Sequence, residues 1–196
     1  MKVIVIGATG IIGAAVAGAL DAKHEVVRAS RRGAVKVDID DPGSIGELFE
    51  SVQDVDAVVC CAASAKLAPL DSLSDDEVVI SLKGKLLGQV SLARRAIKRL
   101  RDGGSITLTS GVIPPIPGSA IGALVNAGLE GFVRAAAIEM PRGLRINVVS
   151  PGWVKETLIK LGMDSAGGTA ANDVARAYLE AVEGTMQGRT IAPNTP

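Results

Sequence analysis

The chain opens on Val3, Ile4, Val5 and Ile6, which run straight into Gly7, with Gly10 and Gly13 following at equal spacing and an Ala-rich stretch beyond. A β-branched run that is apolar on both faces predicts a strand covered on both sides, as in a parallel sheet. The stretch from Ile11 to Leu20 predicts a helix. Between strand and helix the backbone must turn sharply and leave helix N-terminal N–H groups free, which glycine permits and phosphate exploits. With 23 glycines in 196 residues such a spacing also arises by chance. Its position at the first strand and first helix is what gives it meaning.

The rest of the chain alternates strand and helix. Strands are predicted over 24–29, 35–39, 55–62, 105–110, 144–149 and 187–192. Helices are predicted over 42–52, with Asp41 as N-cap and Pro42 at the first position, and over 75–100, with Ser74 and Glu77 as a capping box. Further helices are predicted over 119–139 and 172–183. This order predicts one domain over 1–196, α/β in class: a doubly wound parallel sheet, a Rossmann fold, with helices on both faces and ligands at the carboxyl ends of the strands. One junction is unusual. Only residues 30–34 separate the second and third strands, a reach of about 17 Å when extended, against the dozen or more residues of an ordinary parallel crossover. Either the crossover helix is lost or these strands are not parallel neighbours.

Hydrophobic residues make up 47% of the chain but aromatics only 2%, so the core must be aliphatic. The 21 basic and 21 acidic residues cancel, which gives no electrostatic reason to expect a nucleic-acid or anionic-membrane partner. No apolar run was expected to reach the ~18 residues of a membrane span; with a strand at the very start, the expectation is a cytoplasmic protein. The two cysteines, Cys60 and Cys61, are adjacent in a strand and point to opposite faces, which suits buried thiols and not a mutual disulfide. No metal-ligand spacing is present.

The turn after the second strand selects the dinucleotide. A carboxylate there would bind the ribose hydroxyls of NAD, whereas this chain offers Ser30, Arg31 and Arg32, which suit a 2′-phosphate by charge and fork geometry. NADP(H) is therefore expected over NAD(H). Asp38, at the end of the third strand, could reach the adenine amino group.

"GATGIIG" at the start, "CCAAS" after the fourth strand, "SITLTS" as the fifth and "GFVRAAAIEMPRGLRINVVSPGWVKET" beyond it together resemble the short-chain dehydrogenase/reductase family over nearly the whole chain. The resemblance implies that Gly7, Thr9, Gly10, Ile12 and Gly13 line the pyrophosphate. It places Arg31 and Arg32 at the 2′-phosphate, Asp38 at the adenine, Cys60, Cys61 and Ala62 at the adenosine ribose, and Pro151, Gly152 and Thr157 at the nicotinamide. It also implies a homodimer or homotetramer built on the helices over 75–100 and 119–139.

The departures from the family lie in the chemistry. Its reductases use a Tyr as proton donor and a Lys four residues later, and those positions fall at Gly122 and Asn126. The family's Asn on the long helix is best matched by Lys85, with Ser81 competing. Its Ser on the fifth strand lies among Thr109, Ser110 and Gly111, with Ser110 favoured. Carbonyl reduction needs a proton donor in reach of the developing alkoxide. The single His, His24, lies at the wrong end of its strand, and the single Tyr, Tyr178, reads as a core or interface residue. Lys83 and Lys85 remain, and a desolvated Lys can have a lowered pKa. Ser110, Lys85 and Asn126 are thus the catalytic candidates, and two readings stand. One is an NADP(H)-dependent oxidoreductase acting on a small carbonyl or alcohol through a non-standard site. The other is a catalytically lapsed NADP(H)-binding sensor or scaffold.

Overall fold

The computed structural model describes residues 1–62 and 67–193. Seven parallel strands form one sheet in the order β3-β2-β1-β4-β5-β6-β7. They are β1 (Lys2–Ile6), β2 (Glu25–Ser30), β3 (Val35–Lys36), β4 (Ala57–Cys60), β5 (Ser105–Thr109), β6 (Arg145–Val149) and β7 (Thr190–Ile191). The strand order reverses between β1 and β4, the point at which a doubly wound sheet opens a crevice beyond its carboxyl ends.

The helices are α1 (Ile11–Asp21), α2 (Pro42–Ser51), α3 (Asp75–Ser81), α4 (Gly88–Ala96), α5 (Ala120–Ala136), α6 (Lys155–Lys160) and α7 (Ala171–Glu183). They cover both faces of the sheet. On one face Ile4, Ile6, Val58 and Ile106 pack with Leu48 of α2, Leu92 of α4 and Leu129 of α5. On the other Val3, Val5 and Val59 pack with Val16 and Leu20 of α1 and Val174 and Tyr178 of α7. Alternation along each strand divides these two aliphatic cores, as the composition requires.

The sequence-based caps at two helices are present. Asp41 accepts the backbone N–H of Gly43 at 2.8 Å, and Ser74 with Glu77 forms the capping box at α3. The β2–β3 junction resolves in favour of a lost crossover: β3 is a parallel neighbour of β2, pairing Ala29 with Val35 and Ser30 with Lys36. Residues 30–34 suffice because β3 is only two residues long.

Two expectations are corrected. The helix over 75–100 is not continuous: Leu82–Leu87 between α3 and α4 form a π-helical turn. The capping box and apolar spacing that predict a helix do not distinguish an i→i+5 turn from an i→i+4 turn, so the change was invisible in the sequence. The expectation about membrane-length runs also changes, since Ala120–Glu139 is long and apolar enough by length and composition to cross a membrane. In this fold its face bearing Val125, Leu129 and Val133 is part of the core.

The π turn leads into a close helix-to-loop approach. A Cβ on Gly88 would lie 2.7 Å from the carbonyl oxygen of Ile39, whereas one on Gly46 in α2 would meet nothing within 4 Å. Gly88→Ala is expected to lower stability by about 1–3 kcal/mol. Gly46→Ala should raise it by up to about 1 kcal/mol. Urea unfolding of the two variants checks both signs.

Candidate functional site

A cleft of about 400 Å³ opens at the reversal point, lined by Gly7, Thr9 and Gly10 after β1, Ser30, Arg31 and Arg32 after β2, Asp38 after β3, and Cys61 and Ala62 after β4. Its floor depends on glycine. Gly7 has φ +81°, and a Cβ there would lie 2.7 Å from the backbone nitrogen of Ala62. A Cβ on Gly13 would come within 2.1 Å of the Gly7 carbonyl oxygen. Gly10 caps α1 with no side-chain hydrogen bond, so the first N–H groups of the helix are left for a ligand.

The neighbouring wall fits an anionic group. Ser30 Oγ is buried and has no hydrogen-bond partner among the described residues, and Arg31 and Arg32 line the cleft beside it. A buried hydroxyl without a partner is costly unless a ligand completes it. These residues fit a dinucleotide: the glycine turn and α1 N-terminus would hold the pyrophosphate, and Ser30, Arg31 and Arg32 a phosphate on the ribose. Asp38 also borders the cleft, its Oδ1 accepting the backbone N–H of Asp40 at 3.1 Å.

The expected cofactor residues do not all reach this cleft. Cys60 is fully buried among the core residues on the α2–α4–α5 side and its side chain does not line the cleft, whereas Cys61 and Ala62 do. Burial pushes the Cys60 thiol up to about 12 and the Cys61 thiol well above its ordinary value, so neither is a thiolate at neutral pH. Gly13 acts by letting α1 approach Gly7, and Ile12 packs against the α1–α7 core. Pro151 follows β6, its carbonyl oxygen accepting the N–H of Val112 at 2.8 Å. Gly152 is exposed beside it, and Thr157 lies in the first turn of α6. Residues 63 and 64 of the "CCAAS" segment lie outside the described residues.

The catalytic candidates converge. Lys85, in the π turn, is buried, and its Nζ donates to Asn126 Oδ1 and to the carbonyl oxygen of Ser110, both at 2.8 Å. Asn126 Nδ2 in turn donates to the Gly111 carbonyl oxygen at 2.7 Å. Burial pulls the Lys85 ammonium down to about 8, opposed by nearby Cys60 and Glu130. Ser81, the competing candidate, donates to the carbonyl oxygen of Glu77 within its own helix. Lys85 and Ser81 both border a second cavity, of about 240 Å³, with Leu73, Ile80, Ile121 and Gly122. The cleft and this recess therefore adjoin, sharing Asp40, Gly84 and Lys85 in their walls.

At the end of β5 the three candidates separate. Thr109 faces the α7 side, where its Oγ1 donates to the Cys60 carbonyl oxygen at 2.5 Å, so Tyr178 Oη, 2.7 Å away, donates to Thr109. Tyr178 is accordingly a core residue. His24 pairs with Glu183 at 2.9 Å, at the amino end of β2 and away from the cleft. Ser110 faces α5, and its hydroxyl donates to Glu130 Oε1 at 2.9 Å, as does that of Ser150 after β6. Glu130 and Ser150 were not anticipated. Glu130 could have been found from Asn126, one helical turn before it on the same face. Ser150 carried no signal beyond its place at a strand end.

Fold and cleft together define a dinucleotide-binding protein of the doubly wound class. A family model described as enoyl-(acyl carrier protein) reductase matches residues 8–187, and the chain belongs to the short-chain dehydrogenase/reductase family. Among solved structures it is similar to protein lin1944 from Listeria innocua, with 39% identity and a TM-score of 0.94 over 99% of this chain and 100% of that one. It is also similar to a small-chain dehydrogenase in complex with NADPH, at 28% identity and a TM-score of 0.86 over 98% and 95% of the two chains. Hydroxynaphthalene reductase-like protein Arp2 of Metarhizium brunneum is 30% identical over 134 residues, 64% of this chain and 50% of that protein. The chain thus spans about half the length of the curated relatives it matches.

Asn126, which the sequence resemblance puts at the family's Lys position, is reached by an ammonium group from the facing helix. Asn126→Lys alone would set two ammonium groups against each other in a buried site, at a cost on the order of 3 kcal/mol. Adding Lys85→Asn should recover most of that loss. Thermal melts of the single and double variants test the exchange.

Proposed function

We propose that the protein is an NADP(H)-dependent oxidoreductase that interconverts a small carbonyl compound and its alcohol, with Lys85 as its proton donor. The observation that carries this reading is the buried Lys85–Asn126 pair between the cofactor cleft and the adjoining recess. Two of the three N–H groups of the ammonium are fixed by Asn126 and by the Ser110 carbonyl oxygen, which aims the third. A cation with a lowered pKa gives up a proton more readily, and one near 8 suits transfer at neutral pH.

Bound NADPH would supply the hydride to the substrate carbonyl carbon. The carbonyl oxygen takes its proton from Lys85, and the neutral amine recovers one from water. Gly7, Thr9 and Gly10 would hold the pyrophosphate, and Ser30, Arg31 and Arg32 the 2′-phosphate. The NADPH named for one structural relative agrees with that assignment. Gly122 carries no side chain to donate a proton, and a Cβ there would already lie 2.7 Å from Cδ1 of Ile113. The family's Tyr therefore has no room at this position without a shift of Ile113.

The same reading includes a cytoplasmic protein, and a homodimer or homotetramer joined through α3, α4 and α5. The exposed Val79, Ile80, Leu87 and Leu124 support the assembly. Light scattering should give a mass at least twice that of the 20.0 kDa chain.

Two measurements test the activity. Fluorescence titration should give an NADPH dissociation constant at least about tenfold below that for NADH, and the paired change Arg31→Ala with Arg32→Ala should remove that preference. NADPH oxidation across a panel of small aldehydes and ketones should reveal turnover that Lys85→Met lowers about a hundredfold or more, with NADPH affinity changed far less. Tight NADPH binding with no turnover on any member would favour the sensor or scaffold instead.

A further inference from the structure

One group in the site is not used by this reading. The carboxyl of Glu130 lies at the ends of two adjacent parallel strands and accepts two hydroxyls on a single oxygen: Ser110 Oγ and Ser150 Oγ both donate to Oε1, each at 2.9 Å. A hydroxyl has one proton to donate. Ser110 therefore gives its proton to Glu130 and can offer only lone pairs elsewhere. The family's use of this serine, donating to a substrate oxygen, is closed while that bond is made.

The same carboxyl acts on Lys85. The ammonium is anchored to the backbone of Ser110 and to Asn126, one turn before Glu130 on α5. The titratable groups around it come from every neighbouring element. Cys60 lies on β4, Glu130 on α5, Glu77 on α3 and Asp40 before α2, while Cys61, Asp38, Arg31 and Arg32 share the cofactor cleft. Cys60 is uncharged wherever Lys85 titrates, since its thiol is pushed up to about 12. Asp40 and Glu77 are exposed, where water screens them. Glu130 is the carboxyl on the inner side, held by the two strand-end serines.

We propose that Glu130 is a positioning residue: it fixes the Ser110 hydroxyl as a hydrogen-bond acceptor toward the substrate and supplies the counter-charge that keeps Lys85 protonated as the donor. This rests on the reading of Lys85 as proton donor. In the oxidative direction the same path runs in reverse: the neutral Lys85 amine takes the proton of the substrate hydroxyl, while the Ser110 hydroxyl, its own proton held by Glu130, accepts a hydrogen bond.

The test follows Lys85 itself and needs no substrate. In the full chain with lysine labelled by 15N and 13C, the Lys85 resonance is identified by its loss in Lys85→Met and titrated. Glu130→Gln keeps an oxygen for both hydroxyls but removes the charge, and should lower the Lys85 midpoint by about one pH unit with little change in melting temperature. Glu130→Asp should keep the midpoint close to wild type. Glu130→Leu should lower both the midpoint and the melting temperature, because the two hydroxyls also lose their acceptor. An unchanged midpoint in Glu130→Gln overturns the proposal. In a second wild-type sample labelled with 13C in glutamate, the Glu130 carboxyl resonance, identified by its loss in Glu130→Gln, should also shift with the Lys85 midpoint, and its failure to do so overturns the proposal. A protein inert towards every carbonyl would defeat the oxidoreductase reading and leave this titration standing.

Discussion

An ammonium group taken out of water must be met by oxygen atoms, and the inner half of this molecule is arranged around meeting one. Lys85, carried in the π turn at Leu82–Leu87, reaches the Ser110 carbonyl oxygen and Asn126 Oδ1. The helix that follows lies close over the loop after β3, a contact with Ile39 for which Gly88 leaves room. Asn126 is in turn held by the carbonyl oxygen of Gly111. The loops after β3 and β5, the helix turn and α5 are thus linked through one buried cation.

The cofactor cleft depends on a different economy of space. Gly7 and Gly13 bring three backbones together, those of β1, α1 and the end of β4, with no side chain between them. The result is a concave floor of backbone atoms with unused helix N–H groups at one side and a hydroxyl and two guanidinium groups at the other. Such a surface fits charge and shape and performs no reaction. The candidate reactive groups come from elsewhere: α5, the π turn and the ends of β5 and β6.

Much of the fold was legible because it is written in local signals. β-branched runs, the glycine turn, Asp41 and Ser74 each act within a few residues, and the cores on the two faces follow from alternation. What was not legible was set by contacts between distant elements. The two-residue β3 answers a question about reach that sequence could pose and not decide. The π turn leaves the same composition as an α turn. Lys85, Asn126 and Ser110 could be chosen as candidates, but the lysine's bonds join residues 25 and 41 positions away along the chain. Strand alternation turns the Cys60 side chain into the core and leaves Cys61 beside the cleft, a separation that follows from their adjacency along β4. Glu130 was overlooked because no pattern within α5 says which serines stand at the ends of the strands beneath it.

The exchange of lysine and asparagine that we propose between facing helices has a consequence for how such a site changes in descent. Starting from the family's arrangement, either single replacement leaves two amides where an ammonium is needed, or two ammonium groups in one pocket. The first state loses the charge and the second is strained by it. A lineage crossing between the two arrangements must tolerate one of these states or change both codons together, so the two positions are expected to be inherited as a unit.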